Sequence, residues 1–252
     1  MIDYKSPAEI KIMQHGGHIL AEVLNQVMAA IKPGVSEIEL DQLAERLIRE
    51  RGGEPGFQRV PNYKHTICVS TNDVVVHGIP SNYRFKSGDL VGVDCGVFYQ
   101  GFHTDMSDST IVPGGVTHSE AEQFLRVGKH ALDEAIKVAK AGNRIGHISQ
   151  VIQEIVEVKG GYSIVRSLIG HGVGRELHEE PEVPGYVARP LHKTPLLKPG
   201  MTIAVEVIYN MGTPGVMLDR DGWTIRTEDG QLAGLYERTI AITTKGPLMV
   251  TK

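Results

Sequence analysis

The apolar positions near the start of the chain recur every three or four residues, which is the period of an α-helix. Ser6-Pro7-Ala8-Glu9 precedes this stripe and is typical of a capping box with proline at the first helical position. The apolar residues of the stripe are Ile12, Ile19, Val23, Val27 and Ile31. A second helical stripe runs from Ile38 to Ile48 and stops at Gly52-Gly53. The pattern therefore predicts two consecutive helices.

A similar pair of helices is predicted further along the chain. Lys32-Pro33-Gly34 precedes the second helix, and Lys140-Ala141-Gly142, 108 residues later, precedes a matching stripe that stops at Gly160-Gly161. Ahead of that stripe, Thr117-His118-Ser119-Glu120 is typical of another capping box and begins a helical pattern that continues from Phe124 to Ala139. Such self-similarity at a fixed spacing indicates an internal repeat.

Each helix pair is followed by a stretch whose composition predicts β-strands. The predicted strands are Thr66 to Ser70, Leu90 to Phe98 and Phe102 to Val112 in the first half, and Met201 to Tyr209, Trp223 to Thr227 and Leu235 to Thr243 in the second. The repeat continues here, because His77-Gly78-Ile79 resembles His171-Gly172-Val173 and Val93-Asp94 resembles Val205-Glu206. The order helix, helix, His-Gly and acid-bearing strand thus occurs twice.

These elements predict an α+β fold in which helices cover one face of a curved antiparallel sheet. We expect two pseudo-twofold-related halves, about 1–115 and 116–252, within a single domain over 1–252. Two independent domains are the alternative, and they are less favoured because no Pro/Ser-rich linker separates residues 105–117 from the second half of the chain.

Composition narrows the classes of function. The chain has 252 residues, 41% of them hydrophobic, and a formal net charge of -4, which argues against a main role in binding nucleic acid or an anionic membrane. No apolar run approaches the roughly 20 residues that span a bilayer. Met1 to Lys5 lacks the features of a signal peptide, and Cys68 and Cys95 are too few for a disulfide framework. We expect a cytoplasmic enzyme.

Two acidic residues interrupt the predicted strands of the first half. Asp94 lies within an apolar strand, and the chain then turns near Tyr99-Gln100-Gly101 and returns through Asp105. A hairpin centred between Tyr99 and Gln100 would place the two carboxylates directly opposite each other, with Cβ atoms about 5 Å apart. Carboxylates so placed repel and need a counter-charge unless both point to solvent, which is the alternative.

The second half contains a matching pair of acids. Glu206 occupies the position equivalent to Asp94, and Glu237 would lie opposite Glu206 if a hairpin were centred on Asp221-Gly222. A second turn signal at Asp229-Gly230 leaves a different pairing open. Four acids on neighbouring strands form a negative pocket that a divalent cation would stabilise. With His171 joining them, the donor set suits Mn, Fe, Co or Zn.

With these residues in place, the sequence resembles the type I methionine aminopeptidases of the pita-bread fold, and the match runs nearly end to end. The stretches that carry the resemblance, beyond the acids, are His77-Gly78-Ile79-Pro80, Gly170-His171-Gly172-Val173-Gly174-Arg175, His178-Glu179-Glu180-Pro181 and Lys198-Pro199-Gly200-Met201. Single pieces such as Glu-Glu-Pro are weak evidence, whereas the ordered set of five metal ligands with two further histidines is highly specific.

The resemblance implies a centre of two divalent metal ions. In this family the residue equivalent to Asp94 holds one metal, and the residues equivalent to His171 and Glu206 belong to the other. Asp105 and Glu237 then correspond to the bridging ligands. The native metal stays open among Co, Mn, Fe and Zn.

The resemblance also implies catalytic roles. Glu206 corresponds to the proton acceptor, His178 to the residue that polarises the scissile peptide, and His77 to a second histidine near the first peptide group of the substrate. The loop from Asn72 to Val74 resembles one that offers backbone oxygens to a monovalent cation. His103 is close enough to Asp105 in sequence to be a candidate for supporting the metal ligands.

The family's pocket for the methionine side chain has matching positions here. Those positions hold Tyr63, Cys68, Leu177 and Trp223. Leu177 stands where the family commonly has Phe, Val60 where it has Tyr, and Phe57 where it has Cys; all three are apolar, so a flexible methionine should still fit. Arg238 follows Glu237 where many relatives have His, and the sequence assigns it no effect.

The implied activity is removal of the initiator methionine from nascent proteins, with a preference for a small second residue. We expect a monomer with transient ribosome contact and no direct nucleic-acid or membrane role. The alternatives are a proline-specific peptidase, whose relatives carry an extra N-terminal domain, a type II aminopeptidase, which carries a helical insertion, and a metal-free binding protein, which would have lost ligands. A carboxylate-rich metal-storage protein would not need His77 and His178.

Overall fold

The computed structural model describes residues 1–115 and 119–252. Over these ranges the chain forms four α-helices, namely α1 (Pro7–Ala30), α2 (Glu37–Glu50), α3 (Ser119–Val138) and α4 (Ile145–Gln153). A π-helical segment, Glu154–Lys159, continues α4, and short 3₁₀ turns occupy Phe57–Arg59 and Leu191–Lys193. The strands are β1 (Glu54–Pro55), β2 (Ile67–Thr71), β3 (Val74–Val76), β4 (Leu90–Tyr99), β5 (Phe102–Ile111), β6 (Ser163–Ile164), β7 (Gly170–Gly172), β8 (Glu179–Val183), β9 (Thr202–Asn210), β10 (Val216–Leu218), β11 (Ile225–Thr227), β12 (Ala233–Thr243) and β13 (Gly246–Met249).

The start of α1 confirms the predicted capping box. The Ser6 hydroxyl accepts a hydrogen bond from the Glu9 amide at 3.3 Å, and the Glu9 carboxylate accepts one from the Ser6 amide at 2.7 Å. Two of the otherwise unpaired amides at the helix N-terminus are thereby satisfied. The capping box predicted at Thr117-His118 lies outside the described residues, and α3 is described from Ser119.

The predicted antiparallel sheet is present and is the centre of the fold. Ten of the described strands form it, in the order β1-β4-β5-β12-β9-β7-β8, with β2 on β4, β6 on β9 and β13 on β12. The strands β3, β11 and β10 form a separate small sheet. Apolar side chains of α1 and α2 pack against β2 and β4, and those of α3 and α4 pack against β9 and β12. The α+β class is confirmed, with β5 and β12 joining the two halves at the middle of the sheet.

Alternation along the strands directs the acids away from the helices. On β4, Val93 packs into the core beneath α1 and α2, so the next residue, Asp94, faces the other side of the sheet. On β9, Val205 and Glu206 divide in the same way beneath α3 and α4. Glu237 on β12 faces the same cavity as both acids. The sheet therefore has one face that builds the core and one face that carries the carboxylates.

The predicted register of the first hairpin is wrong by two residues. Asp94 is the partner of Ser107, and Asp105 is the partner of Gly96. The turn consists of Gln100 and Gly101, both with positive φ (45° and 91°), so it is centred one residue later than expected. Because side chains alternate with a period of two, Asp94 and Asp105 still lie on the same face, as diagonal neighbours.

The predicted pairing of Glu206 with Glu237 is confirmed. The two residues are direct register partners on β9 and β12. The connection between these strands continues as the short hairpin of β10 and β11, in which Leu218 pairs with Ile225 around the turn at Asp221-Gly222. Asp229-Gly230 is not the centre of this pairing.

Candidate metal centre and substrate pocket

Three of the acids lie in a single row across the sheet. Asp94 is opposite Ser107, Ser107 is opposite Glu237, and Glu237 is opposite Glu206. The row thus crosses β4, β5, β12 and β9 and brings side chains from both halves of the chain together. Ser107, the member without a carboxylate, lies on the strand that carries Asp105.

The remaining two candidate ligands are each displaced from this row by two residues. Asp105 comes two residues before Ser107 on β5, and His171 on β7 is opposite Ala204, two residues before Glu206. One potential ligand atom from each of Asp105, His171 and Glu237 lies within 4.8 Å of the others. His171 Nε2 is 3.5 Å from a Glu206 carboxylate oxygen. The five candidates therefore converge on one point of the carboxylate face.

The orientation of His171 is fixed by its neighbours. Its Nδ1 donates a hydrogen bond to the Gly172 carbonyl oxygen at 2.8 Å, which leaves Nε2 free as a ligand atom. Gly172 itself lies against β8, where a Cβ atom would come within 2.3 Å of the Glu180 carbonyl oxygen. The glycine after His171 is thus required by the close approach of backbone on β8.

The four carboxyl groups lie close together away from solvent, and this raises their pKa values. Burial raises the pKa of Asp94 to about 7, and burial together with the nearby charge of Asp94 raises the pKa of Glu206 to about 8. The pKa values of Asp105 and Glu237 are also raised well above their ordinary range, first by burial and then by neighbouring carboxylates. Four acids in this setting cannot all ionise without a counter-charge.

The residues present fit a divalent metal. Among the described residues, Asp94 Oδ1 and Glu237 Oε1 are buried oxygens without a hydrogen-bond partner, and both belong to the converging set. Buried polar atoms are normally satisfied, so such atoms call for a ligand. Burial also lowers the pKa of His171 to about 4, which keeps its imidazole neutral and able to coordinate. Four carboxylates and one neutral imidazole suit Mn, Fe, Co or Zn.

Two further histidines lie beside this centre. The His178 ring is 4.4 Å, centroid to centroid, from the His171 ring. His77 has a φ of 56°, a left-handed conformation that is uncommon for residues with a side chain and is found at functional sites. Burial lowers the pKa of both His77 and His178. Both side chains line the cavity that contains the carboxylates.

The predicted methionine pocket is one apolar cluster at the same cavity. Its residues are Phe57, Val60, Tyr63, Cys68, Ile79, Leu177 and Trp223. The Tyr63 hydroxyl donates to the Ile67 carbonyl oxygen at 2.8 Å, and the Tyr63 and Trp223 ring centroids are 5.1 Å apart. The cavity has a volume of about 580 Å³, and its lining includes the acids, the histidines and every member of this cluster except Ile79.

His103 and the loop from Asn72 to Val74 are the two remaining candidates from the sequence. His103 is buried against Phe98, with ring centroids 4.8 Å apart, and its Nδ1 has no partner among the described residues. The Asn72 and Asp73 carbonyl oxygens already accept hydrogen bonds from Ala233 and Thr227 amides. A monovalent cation at that loop stays a prediction.

The residues that hold the His178 loop in place were not identified from the sequence. Lys5 forms an ion pair with Glu179 and lies 3.3 Å from Asp3, although its side chain is only 1% exposed. Arg175 pairs with Glu9 at the start of α1. These two ion pairs join the beginning of the chain to residues 174 and 166 positions away. No local pattern in a sequence indicates such contacts.

No helix in the described ranges combines the length and apolar character needed to cross a membrane. A pita-bread fold whose carboxylate face opens into a pocket lined by histidines is characteristic of metallopeptidases, and the fold and site assign this chain to that class.

The chain belongs to metallopeptidase family M24, whose pattern matches residues 11–234. A methionine aminopeptidase of Clostridium perfringens is 41% identical to it over 251 residues, which are 100% of this chain and 99% of that protein. Methionine aminopeptidase 1 of Bacillus subtilis is 40% identical, with full coverage of both chains. The crystal structure of methionine aminopeptidase from Thermotoga maritima superposes with a TM-score of 0.95 at 39% identity, again covering 100% of both chains. These comparisons confirm the resemblance to the type I methionine aminopeptidases and the assignment to the aminopeptidases.

Proposed function

We propose that the protein removes the N-terminal methionine from nascent proteins and peptides by hydrolysis at a centre of two divalent metal ions. The observation that carries this proposal is the convergence of four buried or partly buried carboxyls and His171 beside an apolar pocket. The ligands would be Asp94, Asp105, His171, Glu206 and Glu237. The same cavity thus offers acids for a free α-amino group and apolar side chains for a methionine.

Side chains of the protein would bind the substrate and stabilise the charge that develops during hydrolysis. The methionine side chain would pack among Tyr63, Cys68, Leu177 and Trp223, which orients the scissile peptide bond toward the carboxylates. His178 would donate a hydrogen bond to the scissile carbonyl oxygen and stabilise the charge that develops there. When bound, the metal ions would supply a Lewis acid and lower the pKa of a water molecule.

Glu206 is the proposed proton carrier. Its carboxylate would accept the proton of the attacking water and pass it to the leaving amine. Burial raises the pKa of Glu206 to about 8 in the absence of metal, and neighbouring cations would restore the ionised form that accepts a proton. His77 would hold the first peptide group of the substrate from the side of the cavity next to His178.

We also propose a preference for a small second residue, because the His77 and His178 side chains line the same cavity as the acids and would limit the space for that residue. The physiological substrate would be the N-terminus of a nascent polypeptide. Transient contact with the ribosome, a monomeric state and a cytoplasmic location stay predictions.

The proposal is tested by release of free methionine from Met-Ala-Ser in the presence of Mn²⁺. Acetyl-Met-Ala-Ser tests the need for a free amino group, and Met-Leu-Ser tests the size of the second residue. We expect release from Met-Ala-Ser, much less from Met-Leu-Ser and none from the acetylated peptide. Release of alanine from Ala-Pro-Ser, without release of methionine, would instead show a proline-specific peptidase.

A further inference from the structure

The two halves of the sheet meet along a short junction between β5 and β12. In the described residues this junction has two register pairs, Glu237 with Ser107 and Arg238 with Met106. The neighbouring ladders are much longer, since all of β4 (Leu90–Tyr99) pairs with β5 and all of β9 (Thr202–Asn210) pairs with β12. Backbone pairing alone therefore fixes β5 against β12 over a very short distance.

On both sides of these two pairs, a side-chain hydroxyl replaces the direct backbone hydrogen bonds. Thr239 Oγ1 accepts a hydrogen bond from the Asp105 amide at 2.9 Å and donates one to the Asp105 carbonyl oxygen at 2.8 Å. Ser109 Oγ accepts from the Leu235 amide at 3.1 Å and donates to the Leu235 carbonyl oxygen at 2.8 Å. The two bridges are equivalent: Thr239 lies two residues after Glu237, and Ser109 lies two residues after Ser107.

The two hydroxyl bridges differ in the residue whose backbone they bind. Thr239 holds both backbone groups of Asp105, a candidate metal ligand, whereas Ser109 holds Leu235, which is not one. Thr239 is fully buried, and its own amide donates to the Thr251 hydroxyl at 3.0 Å. Its carbonyl oxygen accepts a hydrogen bond from the Val250 amide at 3.0 Å. The backbone of the residue whose hydroxyl binds Asp105 is thus itself held by the C-terminal segment.

We propose that Thr239 is a positioning residue for the metal centre, and this rests on the proposed function. Thr239 and Glu237 are on the same strand, so the hydroxyl bridge sets the position of Asp105 relative to Glu237 across the junction. Valine has nearly the shape of threonine and lacks the hydroxyl. In Thr239→Val the buried amide and carbonyl of Asp105 would both lose their partner, and β5 would move to satisfy them.

The test is calorimetric titration of Mn²⁺ into chelator-treated protein, with the thermal midpoint of the metal-free form measured in parallel. Thr239→Val removes the bridge at Asp105, Thr239→Ser keeps that hydroxyl, and Ser109→Ala removes the equivalent bridge at Leu235. Thr239→Ala also removes the hydroxyl, but places no methyl group where the hydroxyl was. Two variants therefore lack the bridge, so the comparison does not depend on the folding of either one alone.

We expect Thr239→Val and Thr239→Ala to bind Mn²⁺ at least about 10-fold more weakly, as is typical when a group that supports a metal ligand is removed. Thr239→Ser and Ser109→Ala should bind as the unchanged protein does, although Ser109→Ala should also melt at a lower temperature. Equal loss of affinity in Ser109→Ala, or unchanged affinity in both Thr239 variants without a hydroxyl, would overturn the inference. Failure of the unchanged protein to bind Mn²⁺ would contradict the proposed function instead.

Discussion

The buried ammonium group of Lys5 is paired with the carboxylate of Glu179, the residue directly after His178. The Glu179 carboxylate also accepts a hydrogen bond from the Glu176 amide at 3.2 Å, so it closes the turn that leads into His178. The first residues of the chain therefore hold the loop that carries the proposed carbonyl-polarising histidine.

Lys5→Met should remove this support. It leaves the Glu179 carboxylate without its partner in a nearly buried position, which is expected to lower the free energy of unfolding by about 3–5 kcal/mol. Turnover should fall as well, because His178 loses its fixed position. Arg175→Met is the matched control, since the Arg175 side chain is 57% exposed and its pair with Glu9 should contribute less than about 1 kcal/mol. Urea denaturation would measure the free energy of unfolding of both variants. Similar losses in the two would contradict the role assigned to Lys5.

His178 and Asp105 should separate turnover from metal binding. His178→Ala removes the proposed donor to the scissile carbonyl and should lower turnover by about 100-fold or more, while Mn²⁺ binding persists. Asp105→Ala removes a proposed ligand and should lose both turnover and Mn²⁺ binding. Methionine release and calorimetric Mn²⁺ titration would be measured on the same preparations. Full turnover in His178→Ala would remove the role assigned to that residue.

Arg238 has a structural explanation that the sequence did not supply. Its guanidinium donates to the carbonyl oxygens of Ser107 and Glu237 at 2.9 and 2.7 Å, and to the Asp108 carboxylate at 2.8 and 3.1 Å. It thus ties β5 to β12 on the side of the sheet opposite Glu237's carboxylate.

Arg238→Met should be strongly destabilising because it leaves Asp108 charged and unpaired, with an expected loss of about 3 kcal/mol. Adding Asp108→Asn to it should recover part of that loss, since the buried charge is then removed. Urea denaturation of both variants and of Asp108→Asn alone completes the cycle. If the loss of stability in the double variant equals the sum of the losses in the two single variants, Arg238 and Asp108 do not act as a unit.

The stability of the metal-free protein should fall as the pH rises from 6.5 to 8. Burial raises the pKa of Asp94 to about 7 and that of Glu206 to about 8, against about 4 in an unfolded chain, so the folded state binds more protons in this window. Below pH 6.5 the neutral histidines His171 and His103, each with a pKa lowered to about 4, act in the opposite direction.

Calorimetric thermal midpoints at several pH values, with and without Mn²⁺, would measure this dependence. The metal should abolish the decline because it holds the carboxylates ionised in the folded state. The double variant Asp94→Asn with Glu206→Gln should show a smaller decline without metal, because Asp105 and Glu237 alone then bind protons preferentially in the folded state. A decline of equal size in that variant would assign the effect to other groups.

Much of the carboxylate face could be predicted because strand alternation is local. Asp94 lies among apolar residues of period two, so its face was determined even though the register with Asp105 was wrong. The turn at Gln100-Gly101 has positive φ at both residues, and glutamine is not a usual marker of that conformation. Shifting the turn by one residue moves the pairing by two, which preserves the face and the site.

The supporting residues that could not be predicted from the sequence act through long-range contacts. Lys5 and Glu179 are separated by 174 positions, and Asp105 and Thr239 by 134. A lysine before a capping box and a threonine in a strand are common, and neither indicates its partner. A single domain over 1–252 stays a prediction, for which one cooperative unfolding transition is expected.

The most direct test of the metal centre is methionine release from Met-Ala-Ser by chelator-treated protein as Mn²⁺ or Co²⁺ is added back. We predict no release without metal and recovery of turnover on addition, with up to two ions bound per chain. Full turnover by metal-free protein, or no binding of either ion, would contradict the assignment of Asp94, Asp105, His171, Glu206 and Glu237 as ligands.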